Sequence, residues 1–162
     1  MVYHQNPGIT AADNVPLREL LVMVDGHIQE WAVLDEGATI CVIRKDLWEE
    51  LHLPIQTAGR TGVEMADATM SQTEGIIRDL PILIGNLVVF IHAQVVEKAP
   101  FRLLLGRPLY QLTLAIREDT ADGGMDVTFH DPGNRSHVVK MPTRERGIPR
   151  SSGHYVDFST GK

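Results

Sequence analysis

The sequence predicts an all-β fold: a small closed barrel with one short helix and a projecting hairpin. Apolar runs are short and numerous, among them Leu20-Leu21-Val22-Met23-Val24, Ile40-Cys41-Val42-Ile43 and Leu80-Pro81-Ile82-Leu83-Ile84. Two-residue hairpin signals, Asp25-Gly26 and Gly85-Asn86, sit between pairs of such runs. Turn clusters recur to the end of the chain, at Gly123-Gly124 and Asp131-Pro132-Gly133-Asn134. Short strands at regular spacing, with one or two helical turns, point to a small barrel.

The elements follow in order. Leu20 to Val24 is a strand stopped by Asp25-Gly26, and Ile28 to Leu34 returns as its partner, delivering Asp35 at its end. Ile40 to Ile43 is a third, fully apolar strand. Asp46 to Leu51 is the helix: Leu47, Trp48 and Leu51 share one side, Glu49 and Glu50 lie outside, and Leu53-Pro54 ends it. Val63-Glu64-Met65-Ala66 pairs with Thr73 to Ile77 across Asp67-Ala68-Thr69 as the projecting hairpin. Leu80 to Ile84 and Leu87 to Val96 flank Gly85-Asn86. A helical turn runs from Leu105 through Tyr110. Thr113 to Ile116, Met125 to Phe129 and His137 to Met141 are the last strands.

Bulk properties narrow the function classes. A chain of 162 residues holds one domain with tails. Residues 1–17 read as a flexible N-terminal segment, 18–142 as the folded domain and 143–162 as a flexible, mildly basic tail. Ends of this kind suit either a piece of a longer polyprotein or untethered termini. The net charge of −6 argues against nucleic acid as a partner. Cys41 is the single cysteine, which precludes an intrachain disulfide and suits a reducing, intracellular (cytoplasmic) setting. No apolar run approaches the roughly 18 residues of a membrane span, so no membrane partner is expected. The seven histidines are scattered without metal-ligand spacing, and no nucleotide loop or serine elbow appears. No metal and no cofactor are expected.

The chemistry concentrates in two places. The apolar run Val33-Leu34 ends in Asp35-Glu36-Gly37-Ala38-Thr39, and about seventy residues later Leu103-Leu104-Leu105 ends in Gly106-Arg107-Pro108. This motif pair resembles the retropepsin-like aspartic peptidases of retroviral and retrotransposon polyproteins, and the likeness extends over roughly residues 20–141. It implies a retropepsin-like barrel in which each subunit of a homodimer contributes one catalytic Asp, here Asp35. Glu36, Gly37, Ala38 and Thr39 would complete the active-site loop. Met65, Ala66, Asp67, Ala68 and Thr69 would form the flap. Leu105, Gly106 and Arg107 would support the catalytic loop from beneath. Two carboxyls about 3 Å apart share one proton, which supplies a general base and a general acid to a single water.

The chain departs from the family pattern at three points. Glu36 stands where the family has Thr or Ser, whose hydroxyl both donates and accepts hydrogen bonds; an ionised Glu only accepts. Two Glu36 and two Asp35 would place four carboxyls near one axis, favouring acid pH for dimer and activity. Thr39 stands where retroviral members often have a second Asp, so Arg107 loses that partner; Glu36 or Asp46 is expected to take the role, with Arg107 offsetting the charge of Glu36. The flap tip carries no glycine. The leading expectation is an aspartic endopeptidase acting on extended peptide or polyprotein segments. The alternative is a catalytically inactive retropepsin-like module for dimerisation or peptide binding.

Overall fold

The structure, a computed structural model, describes residues 8–57, 62–64 and 70–147. Its strands are β1 (Arg18–Val24), β2 (Ile28–Leu34), β3 (Cys41–Arg44), β4 (Gly62–Glu64), β5 (Met70–Ile84), β6 (Leu87–Val96), β7 (Leu103–Leu105), β8 (Ile116–Asp119), β9 (Met125–Asp131), β10 (Asn134–Pro142) and β11 (Arg144–Glu145). Two helices interrupt them, α1 (Lys45–Leu51) and α2 (Arg107–Thr113).

The main sheet runs β11-β1-β2-β7-β3-β6-β5-β4, and β1 also pairs with β5 through Met23↔Leu83 and Val24↔Ile82. That extra pairing closes β1, β2, β7, β3, β6 and β5 into a barrel, which removes the exposed edges an open sheet would present. The expected all-β barrel is therefore the observed architecture. Along β6, Leu87, Val89, Ile91 and Ala93 are buried while Val88, Phe90 and His92 face out, the period-2 pattern of a sheet with one face on the core. The interior is filled by Leu20, Val22, Ala32, Ile43, Leu80, Ile82 and Leu103, all fully buried.

A second sheet, β10-β9-β8, packs on the barrel, and Val127 and Phe129 of β9 enter the same core. Strand β8 lies at its edge.

Several elements differ from the sequence reading. The helical turn expected after Leu105 extends into a full short helix, α2, so the described residues form two helices. Gly106 caps it, Pro108 occupies its first turn, and Leu109, Tyr110 and Thr113 form its buried side. Thr113 ends this helix instead of opening a strand. Its hydroxyl donates to the Leu109 carbonyl at 2.8 Å, and Leu114 leaves in a left-handed conformation. The strand accordingly starts at Ile116 and runs on to Asp119.

The stretch Thr73 to Ile77 pairs with β6 rather than with 63–66; β4 pairs with Met70, Ser71 and Gln72. Gly75 permits a further approach there. A Cβ on it would lie 2.3 Å from the Gln56 carbonyl, in the bridge that joins Gln56 and Ile76. Finally, the first residues beyond 142 belong to the sheet. β11 pairs with β1, and Arg144 lies 3.9 Å over the Trp31 ring while its Nε donates to Glu19 at 2.9 Å. The boundary drawn at 142/143 thus falls inside the barrel sheet. Among the described residues no helix is long and apolar enough to cross a membrane.

Candidate active site

The barrel topology brings the two sequence motifs together. β2 and β7 run parallel, with Val33 opposite Leu104 and Leu34 opposite Leu105, and β3 returns antiparallel on the other side of β7. Asp35 leaves the end of β2 with its N–H donating to the Leu105 carbonyl at 3.0 Å, the last rung of that ladder. The chain then turns sharply. The Gly37 N–H donates to Asp35 Oδ1 at 2.9 Å and the Ala38 N–H to the Asp35 carbonyl at 3.1 Å. The carboxyl of Asp35 is thereby oriented by its own turn, and it is half-buried.

The Gly106-Arg107 segment closes the turn from below. The Arg107 N–H donates to the Ala38 carbonyl at 2.7 Å. A Cβ on Gly106 would lie 2.2 Å from the Ile40 carbonyl and 2.7 Å from that of Ala38, so only glycine allows the two segments to touch. Ala38 and Ile40 pack on a small apolar cluster of Val33, Val42, Val96 and Leu104, separate from the barrel interior. A larger side chain than Ala38 would have to displace that cluster. Thr39 is exposed on the outer part of the turn.

Leu105, Gly106 and Arg107 thus meet the Asp35–Thr39 turn through backbone contacts. The expected pairing of the Arg107 side chain with Glu36 is not what the structure shows. Arg107 is exposed, and among the described residues Glu36 pairs instead with Arg117, Nη1 to Oε1 at 2.6 Å. Asp46, the other acid considered for the Arg107 role, is held by Arg44 at 2.7 Å and Arg102 at 3.3 Å. Arg107 meets the turn through its backbone N–H, while Arg117, set by the pairing of β8 with β9, supplies the guanidinium that reaches Glu36.

Glu36 and Asp35 open onto a groove of about 550 Å³, walled by Leu17, Leu34, Tyr110, Arg117, Asp119 and Met125 among others. The Tyr110 phenol is pushed up to about 12, first by burial and then by the nearby Glu36 and Asp35 charges, with Arg117 opposing. Cys41 lies fully buried behind Gly106, and burial raises its thiol above the ordinary range, as suits a packing residue and not a nucleophile. Among the described residues no cluster of His, Cys, Asp and Glu could hold a metal.

Met65, Ala66, Asp67, Ala68 and Thr69 lie outside the described residues; the strands on either side of them, β4 and the start of β5, pair as an antiparallel hairpin. Arg117 and Tyr110 were not legible as site residues. Arg117 stands 81 positions from Glu36 in a strand whose pattern gives no hint of its contact.

Comparisons with known proteins agree with this geometry. A family model described as aspartyl protease matches residues 20–109, which include both the Asp35 turn and the Leu105-Gly106-Arg107 segment. No curated protein matches by sequence. The crystal structure of the retroviral protease-like domain of Ddi1 from Leishmania major superimposes with a TM-score of 0.59. It is 13% identical, and the alignment covers 86% of this chain and 99% of that one. At that identity the likeness speaks for the fold. A Legionella pneumophila protein of unknown function aligns with a TM-score of 0.39 at 17% identity, over 62% of this chain and 88% of its own, too loosely to bear on the fold.

Proposed function

Because the chain belongs to the aspartyl protease family, we propose that it is an aspartic endopeptidase that works as a homodimer on extended peptide or polyprotein segments. In this reading the Asp35 carboxyls of two subunits face one another and share a proton. The ionised carboxyl takes a proton from a water, whose oxygen attacks the scissile carbonyl carbon. The protonated carboxyl donates to the developing oxyanion, and the tetrahedral intermediate collapses as the amide nitrogen is protonated and the C–N bond breaks. The substrate backbone pairs in strand fashion with the β4–β5 hairpin, where side-chain pockets would set preference.

The observation that carries this reading is the Asp35 turn. A carboxylate stands at the end of an apolar strand, its Oδ1 fixed by the Gly37 N–H at 2.9 Å, on a loop braced by the Arg107 N–H at 2.7 Å. A surface turn without chemistry has no need of a buried brace. Asp35 lines a groove and not the core, a position in reach of water.

A second reading is favoured by Glu36. It cannot donate the hydrogen bond that Thr or Ser would offer across a dimer, and a chain so altered would serve as a silent dimerisation or peptide-binding module. One experiment separates the two: cleavage of a mixed peptide library from about pH 3 to about pH 8 by the wild type, Asp35→Asn and Glu36→Thr. Cleavage by the wild type that is lost in Asp35→Asn supports the peptidase. Silence of the wild type with activity in Glu36→Thr supports a fold disarmed at one residue. Silence of both supports the binding module.

A further inference from the structure

We propose that Arg117 is a positioning residue that neutralises Glu36 beside Asp35, so that an acid can follow the catalytic Asp without disabling the Asp35 pair. The proposal rests on the aspartic peptidase reading and adds to it a residue beyond the family match, which ends at Leu109.

The geometry is specific. β8 is an edge strand of the second sheet, and its pairing with β9 sets Arg117 opposite Val127 and Glu118 opposite Asp126. Successive residues of a strand point to opposite sides. Glu118 reaches Lys140 of β10 at 3.8 Å, whereas Arg117 reaches across to Glu36 at 2.6 Å. The charged and titratable groups around the groove are Arg18, Asp35, Glu36, Tyr110, Arg117 and Asp119. Arg18 is engaged elsewhere, its Nε and Nη2 each 2.9 Å from Thr143 oxygens. Arg117 is therefore the cation placed to answer Glu36.

The consequence is electrostatic. A shared proton requires that one Asp35 ionise while the other stays protonated, and every further negative charge nearby makes that ionisation harder. Two unanswered Glu36 would add two such charges; a guanidinium on each converts them into near-neutral pairs. Tyr110 registers the arrangement, since its phenol feels Glu36 and Asp35 in one direction and Arg117 in the other. The pair is about half exposed on both sides, so its contribution to folding is small. Its importance lies in the local field at the site.

The test is the pH profile of kcat/KM for peptide cleavage by the full chain as wild type, Arg117→Met, Arg117→Lys and the double variant Glu36→Gln/Arg117→Met. Arg117→Met is expected to lose activity about tenfold near neutral pH and to approach the wild type towards acid pH, where carboxylate charge in general fades. Arg117→Lys keeps the charge and is expected to retain the wild-type profile. The double variant is expected to recover most of the neutral-pH activity, which a merely structural arginine would not allow. An Arg117→Met profile that superimposes on the wild type overturns the proposal, as does a loss that Glu36→Gln fails to relieve. A wild type without cleavage at any pH overturns the peptidase reading and this proposal with it; an active wild type with an unmoved Arg117→Met profile overturns this proposal alone.

Discussion

Arg102 holds a carboxylate that is otherwise sealed from water: its Nη1 lies 3.0 Å from Oε1 of Glu30, whose side chain is 1% exposed. The same guanidinium reaches Asp46 at 3.3 Å and Glu50 at 2.7 Å, tying β2 to the start of α1 and to the chain just before β7. Removing the cation from a buried ion pair costs more than the pair contributes, because the charge left behind stays desolvated. Arg102→Met is expected to lower stability at neutral pH by about 3 kcal/mol in urea denaturation. The double variant Glu30→Gln/Arg102→Met should lose clearly less. Equal losses would show that packing of the arginine stem, not charge, is what matters.

Two glycines of the candidate site are expected to fail differently. Gly106→Ala drives a Cβ into the Ile40 and Ala38 carbonyls, which are backbone atoms and cannot rotate away. It should destabilise the fold by about 3 kcal/mol. For Gly37→Ala the nearest atom is Asp35 Oδ1 at 3.2 Å, a side-chain atom able to shift by a few tenths of an ångström. That variant should melt close to the wild type but cleave peptide more slowly. Comparable loss of melting temperature in the two would refute the distinction.

Tyr110 should ionise late. Its phenol, held up chiefly by burial, titrates at about 12 against an ordinary 10.0. The folded state then keeps a proton that the unfolded state has released. Stability from this group is intact below the unfolded value and falls as pH rises from there towards the folded one. Tyr110→Phe is expected to flatten the loss of stability in that alkaline window, and one phenol of the wild type should be missing from the normal ultraviolet titration. A wild type in which all phenols ionise together while folded would contradict this.

Asp46 gives the opposite sign. Its hydrogen bonds from Arg44 hold the carboxyl below the ordinary 3.8. Its contribution is present above the unfolded value and is lost as pH falls through the lower folded one. The side chain is about half exposed, so screening leaves only about 0.5 kcal/mol. Asp46→Asn should therefore cost a little stability at neutral pH, and the gap to the wild type should close below about pH 4. A gap unchanged in acid would mean that the carboxylate charge is not involved.

The order of the strands was largely legible because burial on one face writes a period of two into the sequence, and because Asp25-Gly26 and Gly85-Asn86 are turn chemistry in themselves. β2, β6, α1 and the Asp35 turn could be read from such local patterns. The region after Leu105 was harder. Thr113 has the side chain of a strand residue, yet its hydroxyl satisfies a carbonyl of the preceding turn and it closes the helix instead of opening a strand. The C-terminal limit of the folded part lies further on than the sequence suggests for a similar reason: Arg144 reads as one more charge in a basic tail, while its stacking on Trp31 and its bond to Glu19 are long-range facts.

By itself the sequence determined the all-β class and the glycine-turn carboxylate at Asp35, since each depends on residues a few positions apart; the Leu105-Gly106-Arg107 segment was readable as a partner of that turn only through the family resemblance. Only the tertiary structure decided which cation answers Glu36. Arg107 and Arg117 carry the same side chain and lie at similar distances along the chain, so no local rule separates them. The choice is made by long-range pairing: Arg107 meets the turn with its backbone N–H, and the pairing of β8 with β9 sets the Arg117 side chain against Glu36 at 2.6 Å.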